Sequence, residues 1–272
     1  MEKLKLQVKQ KFANITGEFA LAYKDLDNSQ DTLFINAESE FHAASTMKTA
    51  VMIEVFKQAK EGKFAMTDSL VIKNEFKSIV DSSAYSLDVK DDSEEVLYNS
   101  LGQKRTIYQL VYEMITVSSN LATNMLIELV DAKNVTQTLR SLNINTMKVL
   151  RGVEDGKAFE KGLNNTVTAM DLGLLFEKIA NHQVLNSEDC EEMKKIFFDQ
   201  KFNDIIPALL PKEVKVAHKT GSITGVHHDS GIVYLPNGKR YILVLLSKKM
   251  DNFEEGTKML GEVSKLVYEY AK

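Results

Sequence analysis

Disulfides, a basic surface and a membrane-spanning run are all missing from this chain. Its single cysteine, Cys190, cannot form an intrachain disulfide. That fits a reducing compartment, but it also fits many secreted bacterial enzymes, so it decides little. Lysine and arginine number 34 against 38 aspartates and glutamates, for a formal net charge of −4 and a pI near 5.8. No basic field is left to hold nucleic acid. No apolar run is long enough to cross a bilayer. The N-terminal MEKLKLQVKQKF also lacks the apolar core of a signal peptide. Two readings stay open: a cytoplasmic protein, or one that starts after a removed leader and works in the periplasm or outside the cell. There is no internal repeat, low-complexity tract or flexible linker.

What remains is ordinary globular material, 44% hydrophobic and 26% charged, with ample core for 272 residues. That length suits one large domain or two interleaved lobes. Leu4, Val8 and Phe12 at helical spacing predict a first helix. Gly17–Leu26 and Thr32–Ile35 predict a hairpin across the turn-rich Asp27–Asp31. A helix from about Ser45 to Lys60 would bury Val51, Met52, Val55, Phe56 and Ala59 and stop at Gly62. Residues 65–200 read as mostly helical, with helices at 106–118, 119–132, 168–181 (capped by Thr168) and 187–200. Arg151–Thr166 reads as a loop. After Pro211 come strands at Val214–His218, Gly231–Leu235 and Arg240–Ser247, with a hairpin turn at Pro236–Lys239. A last helix, about 253–271, would bury Phe253, Leu260, Val263, Val267 and Tyr270. Strands at both ends with helices between predict an α/β (α+β) fold: an antiparallel sheet built from both termini, flanked by helices, with an inserted helical lobe. The sheet lobe would span about 1–44 and 201–272, and the helical lobe about 45–200, of a single catalytic domain.

Three short motifs carry the chemistry. Ser45-Thr46-Met47-Lys48 is the one place where a serine precedes a lysine by three residues. At that helical spacing the two share a face, and an amine beside a hydroxyl can take its proton. A helix N-terminus at Ser45 would favour the resulting negative charge. Lys48 is a useful base only if burial or a nearby positive charge, such as Lys219, leaves it partly neutral. Ser118-Ser119-Asn120 falls at a break between helices. There Ser118 could pass a proton to a leaving nitrogen and Asn120 could hold a substrate amide. Lys219-Thr220-Gly221 follows a strand; Lys219 and Thr220 suit a carboxylate, and Gly221 lets substrate approach the backbone. Taken singly, the ordinary readings are a helix cap, a surface lysine, a cap pair and an edge-strand lysine. The order and wide separations of the three, 73 and 101 residues apart, suit a site assembled between two lobes. They point to a serine hydrolase that forms an acyl-enzyme.

With these motifs the chain resembles the class A β-lactamases and the wider family of penicillin-recognising serine hydrolases. The likeness runs through FHAASTMKTAVMIEVFKQ, MITVSSNLATNML, GLNNTVTAMDL and KTGSITG. It implies a β-lactamase/transpeptidase-like fold, with Ser45 as nucleophile and Lys48 as its activating partner. Ser118 would be the proton relay, Asn120 a contact to the substrate amide, and Lys219 and Thr220 the carboxylate grip. The backbone N–H groups of Ser45 and Ser222 would form the oxyanion hole. Glu160-Lys161-Gly162-Leu163-Asn164 fits the spacing of the family's deacylating glutamate and the asparagine four residues on, which makes Asn164 a substrate-binding candidate, and Asn124 matches an asparagine that braces that glutamate. Glu154 and Asp155 are rival carboxylates if the loop threads differently.

Two departures stand out: the loop after Asn164 is short, and Ser119 stands where the family usually has aspartate. The leading expectation is therefore a monomeric β-lactamase acting on a small molecule and needing no cofactor. The alternatives are a D,D-peptidase or esterase, and a penicillin-binding sensor that acylates without turnover. The acidic stretch Asp88–Glu95 reads as a solvated loop rather than a calcium site. His227-His228-Asp229 reads as the start of a strand, with Asp229 capping a turn, rather than as a metal site or triad; no metal is expected. Cys190 reads as inert in an acidic helix, and the methionines as core fillers.

Overall fold

The protein is described by a computed structural model that covers residues 1–272. Nine α-helices form: α1 Glu2–Ala13, α2 Lys48–Lys60, α3 Ile107–Thr116, α4 Asn120–Val130, α5 Ala132–Ser141, α6 Gly156–Glu160, α7 Ala169–Ala180, α8 Ser187–Phe198 and α9 Phe253–Ala271. The main sheet has five strands: β1 Glu18–Asp25, β2 Thr32–Ile35, β3 Lys215–Ile223, β4 Val226–Tyr234 and β5 Arg240–Lys248. Their spatial order is β2-β1-β5-β4-β3, with every pairing antiparallel. Both ends of the chain thus supply the sheet, as the strand order predicts. The three C-terminal strands run longer than expected, because β3 and β4 continue through the Lys219-Thr220-Gly221 and His227-His228-Asp229 segments.

The chain divides into two compact units, residues 1–46 with 166–272, and residues 47–165. In the first, successive strand residues point to opposite faces. Phe19, Leu21, Tyr23, Leu243 and Leu245 form one buried cluster with Leu4 and Val8 of α1 and Leu260, Val263 and Val267 of α9. On the other face, α7 packs against β1 and β5. Gly173 of α7 makes that approach close: a Cβ there would already touch the side chains of Ala22, Ile242 and Val244. This packing puts Thr166–Gln200 with the sheet and not in the helical lobe, so the unit boundary lies well before the expected one near residue 200. Two further differences concern α9. Phe253 and Tyr270 each pack on a sheet residue, Phe253 on His227 and Tyr270 edge-on to Tyr23, yet remain 42% and 38% exposed beyond that contact.

In the second unit α2 packs against α3, α4 and α5 and is buried on nearly every side from Lys48 to Phe56. Its apolar residues exceed a single stripe for that reason. The buried carboxylate of Glu54 accepts from Gln58 Nε2 at 2.7 Å and Thr138 Oγ1 at 2.5 Å, which offsets its desolvation. Thr106 and Gln109 form a reciprocal capping box at the start of α3. The 151–166 stretch is not wholly irregular: Asp155 caps α6 by accepting from the Ala158 N–H.

Gly231 sits at a tight point of the β3–β4 ladder. A Cβ there would meet the Ala217 carbonyl and lie 2.6 Å from His218 Cβ. Both obstacles belong to or adjoin backbone and cannot swing away. Gly231→Ala is expected to cost about 1–3 kcal/mol and lower the melting temperature by roughly 2–10 °C. An unchanged thermal midpoint would contradict this packing.

Candidate active site

In the 47–165 unit the site is built around Lys48, whose side chain is fully buried in the first turn of α2. Its amine donates to the Ser118 carbonyl at 2.6 Å, Ser118 Oγ at 3.3 Å and Asn120 Oδ1 at 3.0 Å. Ser118 is held in a left-handed backbone conformation, φ +58°, which costs a non-glycine residue roughly 1–2 kcal/mol. It lies two residues before α4, where the chain must turn the Ser118 carbonyl toward the amine. Burial holds the Lys48 pKa down at about 7, while the carboxylates of Asp92 and Glu154 pull it back up.

The start of α4 is capped twice. Ser119 Oγ accepts from the Ala122 N–H at 3.2 Å. The Asp92 carboxylate accepts from the N–H groups of Asn120 at 2.9 Å and Leu121 at 3.0 Å, and from the Tyr98 hydroxyl at 2.9 Å. An anion at this helix end is favourable. The acidic Asp88–Glu95 stretch is therefore more than a solvated loop. Asp92 is half-buried, and it supplies to α4 the carboxylate that Ser119 does not carry.

Asn120 joins the amine to a carboxylate. Its Oδ1 accepts from Lys48, and its Nδ2 donates to Glu154 Oε1 at 2.9 Å. The loop carboxylate that reaches this cluster beside Asp92 is Glu154, not Glu160. Asn124 fixes it by gripping the preceding residue: Oδ1 accepts from the Val153 N–H at 2.6 Å and Nδ2 donates to the Val153 carbonyl at 3.0 Å. Gly152 makes the grip possible, since a Cβ there would lie 2.5 Å from Asn124 Oδ1. Burial, then the negative charges of Asp92 and Asp91, raise the Glu154 pKa above its ordinary value, against the hydrogen bonds from Asn120 and the Asp88 backbone.

The other expected loop residues lie elsewhere. Glu160 is exposed at the C-terminal end of α6. Asp155 is taken up by Ser78 Oγ, the Ile79 N–H and the α6 cap. Asn164 accepts from the Arg151 guanidinium at 3.1 Å and so braces the loop. The E-x-x-L-N spacing points to a residue outside this cluster, because Asp155 starts a helix inside the loop. Asn124, read from the sequence as bracing a loop glutamate, grips Val153, the residue before Glu154.

In the other unit Ser45 lies in a 3₁₀ turn, Ala44–Met47, that precedes α2, and its side chain is partly accessible. Gly221 of β3 lies against it: a Cβ at Gly221 would be 2.9 Å from the Ser45 nitrogen and 3.0 Å from that of Thr46. Lys219 and Thr220 precede Gly221 on the strand and are buried, with Lys219 Nζ donating to the Thr220 carbonyl at 3.0 Å. Ser222 follows, exposed. His218 pairs with Asp229 across the ladder, Nδ1 to Oδ1 at 2.8 Å, and Asp229 Oδ2 accepts from the Ile206 N–H at 3.0 Å. Asp229 thus caps no turn, because β4 runs on as an inner strand and buries it. His227 bonds Thr257 at 2.7 Å and stacks on Phe253, while His228 bonds the His42 carbonyl at 2.9 Å. The three side chains go to different partners rather than to one centre.

Comparison with known proteins gives concordant findings. The beta-lactamase enzyme family matches residues 3–271. The β-lactamase VEB-1 of Pseudomonas aeruginosa is 24% identical over 255 residues, covering 89% of this chain and 82% of that protein. Among solved structures, a β-lactamase from Sphaerobacter thermophilus superposes with a TM-score of 0.85 at 24% identity, covering 98% of this chain and 95% of its own. PBP-A superposes at 0.84 with 26% identity and the same two coverages. A PBP-A mutant solved as an acyl-enzyme complex with penicillin G superposes at 0.85 with 25% identity, covering 99% and 96%.

The charges around Lys48 give a signed expectation. Asp92 raises its pKa, so Asp92→Asn should move it below the present value of about 7. NMR titration of the lysine side chain in wild type and variant reads the shift, and an upward movement would refute the electrostatic role of Asp92.

Proposed function

We propose, from the premise that the chain belongs to the beta-lactamase enzyme family, that it is a serine hydrolase which opens β-lactam rings through an acyl-enzyme on Ser45. The observation that carries this reading is the buried amine of Lys48, joined through Asn120 to the carboxylate of Glu154. The pair supplies one base for acylation and a second for deacylation.

In this scheme Ser45 Oγ attacks the lactam carbonyl carbon and its proton passes to neutral Lys48. The developing oxyanion accepts hydrogen bonds from the backbone N–H groups of Ser45 and Ser222. The C–N bond then breaks, and Ser118 delivers a proton to the leaving nitrogen while taking one from protonated Lys48, whose amine is 3.3 Å from Ser118 Oγ. Glu154 takes a proton from a water molecule as that water attacks the ester and returns it to Ser45 Oγ as the ester C–O bond breaks, which restores the hydroxyl and both bases. Lys219 and Thr220 hold the substrate carboxylate, Gly221 allows close approach to β3, and Asn120 contacts the substrate amide. Glu154 takes the role that loop spacing assigns to Glu160, and Asn164 serves the loop instead of the substrate. Both units would then belong to one catalytic domain, a monomer working in the periplasm or outside the cell on a small-molecule substrate.

A second reading, acylation without turnover, has one observation in its favour: the likeness to PBP-A, whose mutant was captured as an acyl-enzyme. Intact-protein mass followed over time with penicillin, alongside product formation, separates the two. Transient acylation with steady product, both lost in Ser45→Ala, is the expected result. A persistent adduct supports the second reading, and no adduct overturns both.

Glu154→Gln should accumulate the acyl-enzyme and lower turnover by roughly 10²–10⁴-fold, the usual scale for a general base. Glu160→Gln should leave turnover within about twofold. The reverse pattern would return the base to Glu160. The pH profile follows from the same groups. Acylation should rise with pH through about 7, as Lys48 loses its proton. Deacylation should fall on acidification from above the ordinary carboxylate range, because the Glu154 pKa is raised.

A further inference from the structure

Two histidines that the proposed reaction leaves unused lie against the backbone leading into Ser45. His228 of β4 stands directly across from Gly221 of β3. The β4–β5 ladder ends at Asp229 opposite Leu245. Beyond that point side chains replace backbone partners. The Ser247 N–H of β5 donates to His228 Nδ1 at 3.1 Å. Ser247 Oγ accepts from the His227 N–H at 2.8 Å and donates to the His227 carbonyl at 2.7 Å. The His228 ring therefore joins the strands where they part. Since Nδ1 accepts, the proton sits on Nε2, which donates to the His42 carbonyl at 2.9 Å. Full burial keeps the ring neutral, its pKa held down at about 4, so the acceptor at Nδ1 persists. Phe41 packs edge-on against the ring at 6.1 Å.

His42 carries the constraint onward. Its Nδ1 accepts from the Ala44 N–H at 3.0 Å. Ala44 has φ +44°, a left-handed backbone that alanine adopts only when its surroundings enforce it. The 3₁₀ turn bearing Ser45 begins at this residue. Gly221 abuts the same segment from β3, within about one carbon atom of the Ser45 and Thr46 nitrogens. The Ala44–Thr46 backbone is thus set by Gly221 and, through His42, by the cross-strand partner of Gly221.

We propose that His228, acting through His42, is a positioning residue that sets the Ala44–Ser45 backbone and so aims the Ser45 hydroxyl and N–H for acylation. This rests on the reading of Ser45 as nucleophile. A reacting group displaced by about 1 Å loses on the order of 10²-fold in rate, which sets the scale expected here.

The test compares His228→Leu, which removes both ring hydrogen bonds, with His228→Gln, whose amide N–H can still reach the His42 carbonyl. Acylation by penicillin is followed by rapid-quench intact mass at several concentrations. His228→Leu should slow the limiting acylation rate roughly 10- to 100-fold while changing the half-saturating concentration less than about threefold. His228→Gln should recover most of that rate. Equal rates in wild type and His228→Leu would overturn the proposal, as would a His228→Gln variant no better than a folded His228→Leu. Should His228→Leu fail to fold, His42→Ala at the half-exposed site decides: acylation slowed at least about fivefold supports the proposal, and an unchanged rate overturns it. If wild type takes no penicillin, the β-lactam reading fails on its own. The same variants are then compared with a fluorophosphonate, which reports Ser45 reactivity without β-lactam recognition. Failure of wild type to react with that probe as well removes Ser45 as nucleophile and the proposal with it.

Discussion

The rest of the candidate site depends on one constraint: an amine that must be buried and yet able to lose its proton. A lysine whose pKa falls from 10.5 to about 7 binds its proton more weakly in the folded chain than in the unfolded one. At and below pH 7 this costs roughly 5 kcal/mol of stability. The cost shrinks as pH rises above 7 and vanishes above 10.5, where both states have lost the proton. Such an expense is a large fraction of ordinary domain stability, so the amine is surrounded by groups that lessen it. The Ser118 carbonyl, Ser118 Oγ and Asn120 Oδ1 accept its hydrogens, and Asp92 and Glu154 limit the shift. The left-handed Ser118 and the carboxylate cap of α4 follow from the same need, since together they present those acceptors to the amine.

The elements were legible wherever a local period and a local signal agreed. α1, α3, α4, α7, β1 and β2 fall close to where apolar spacing and caps such as Thr168 put them. The motif residues lie mostly outside those elements, in short stretches with distinctive neighbours: Lys48 meets Ser118 and Asn120, and Gly221, two residues after Lys219, lies against Ser45. Long-range contacts left no such trace. Asp92 reaches the start of α4 from 28 residues away, and nothing in its acidic surroundings separates it from Asp91 or Asp88. Glu154 and Glu160 differ in burial because Asp155 caps a helix between them, a local event that motif spacing does not register. Phe253 and Tyr270 obey the period of α9 yet stay exposed, since periodicity assigns a face to a helix but not the extent of the surface that covers it.

With so little chain after Asn164, the 151–165 segment must be fixed by bonds to its surroundings. A short loop has fewer residues with which to pack its own interior, so the position of a catalytic carboxylate must come from outside it. Asn124 of α4 grips both backbone groups of Val153. Asp155 ties the next turn to Ser78 and Ile79. Asn165 accepts from the N–H groups of Leu150 and Arg151 and donates to the Arg151 carbonyl, closing the loop at its base. Arg151, buried, spans the middle to the Leu163 carbonyl and Asn164. Glu154 itself has φ +61°, a strained conformation that persists only because the bonds on either side over-determine it. Length is therefore not the quantity that matters for the second half of the proposed reaction. A glutamate held by its neighbours' side chains can meet the geometric demand on a general base as well as one carried on a longer, self-packed loop, and the weak point moves from the loop to its anchors. Gly152 is the most exacting of these, because any larger residue there displaces Asn124, and with it the only side chain that holds Val153 by both its N–H and its carbonyl.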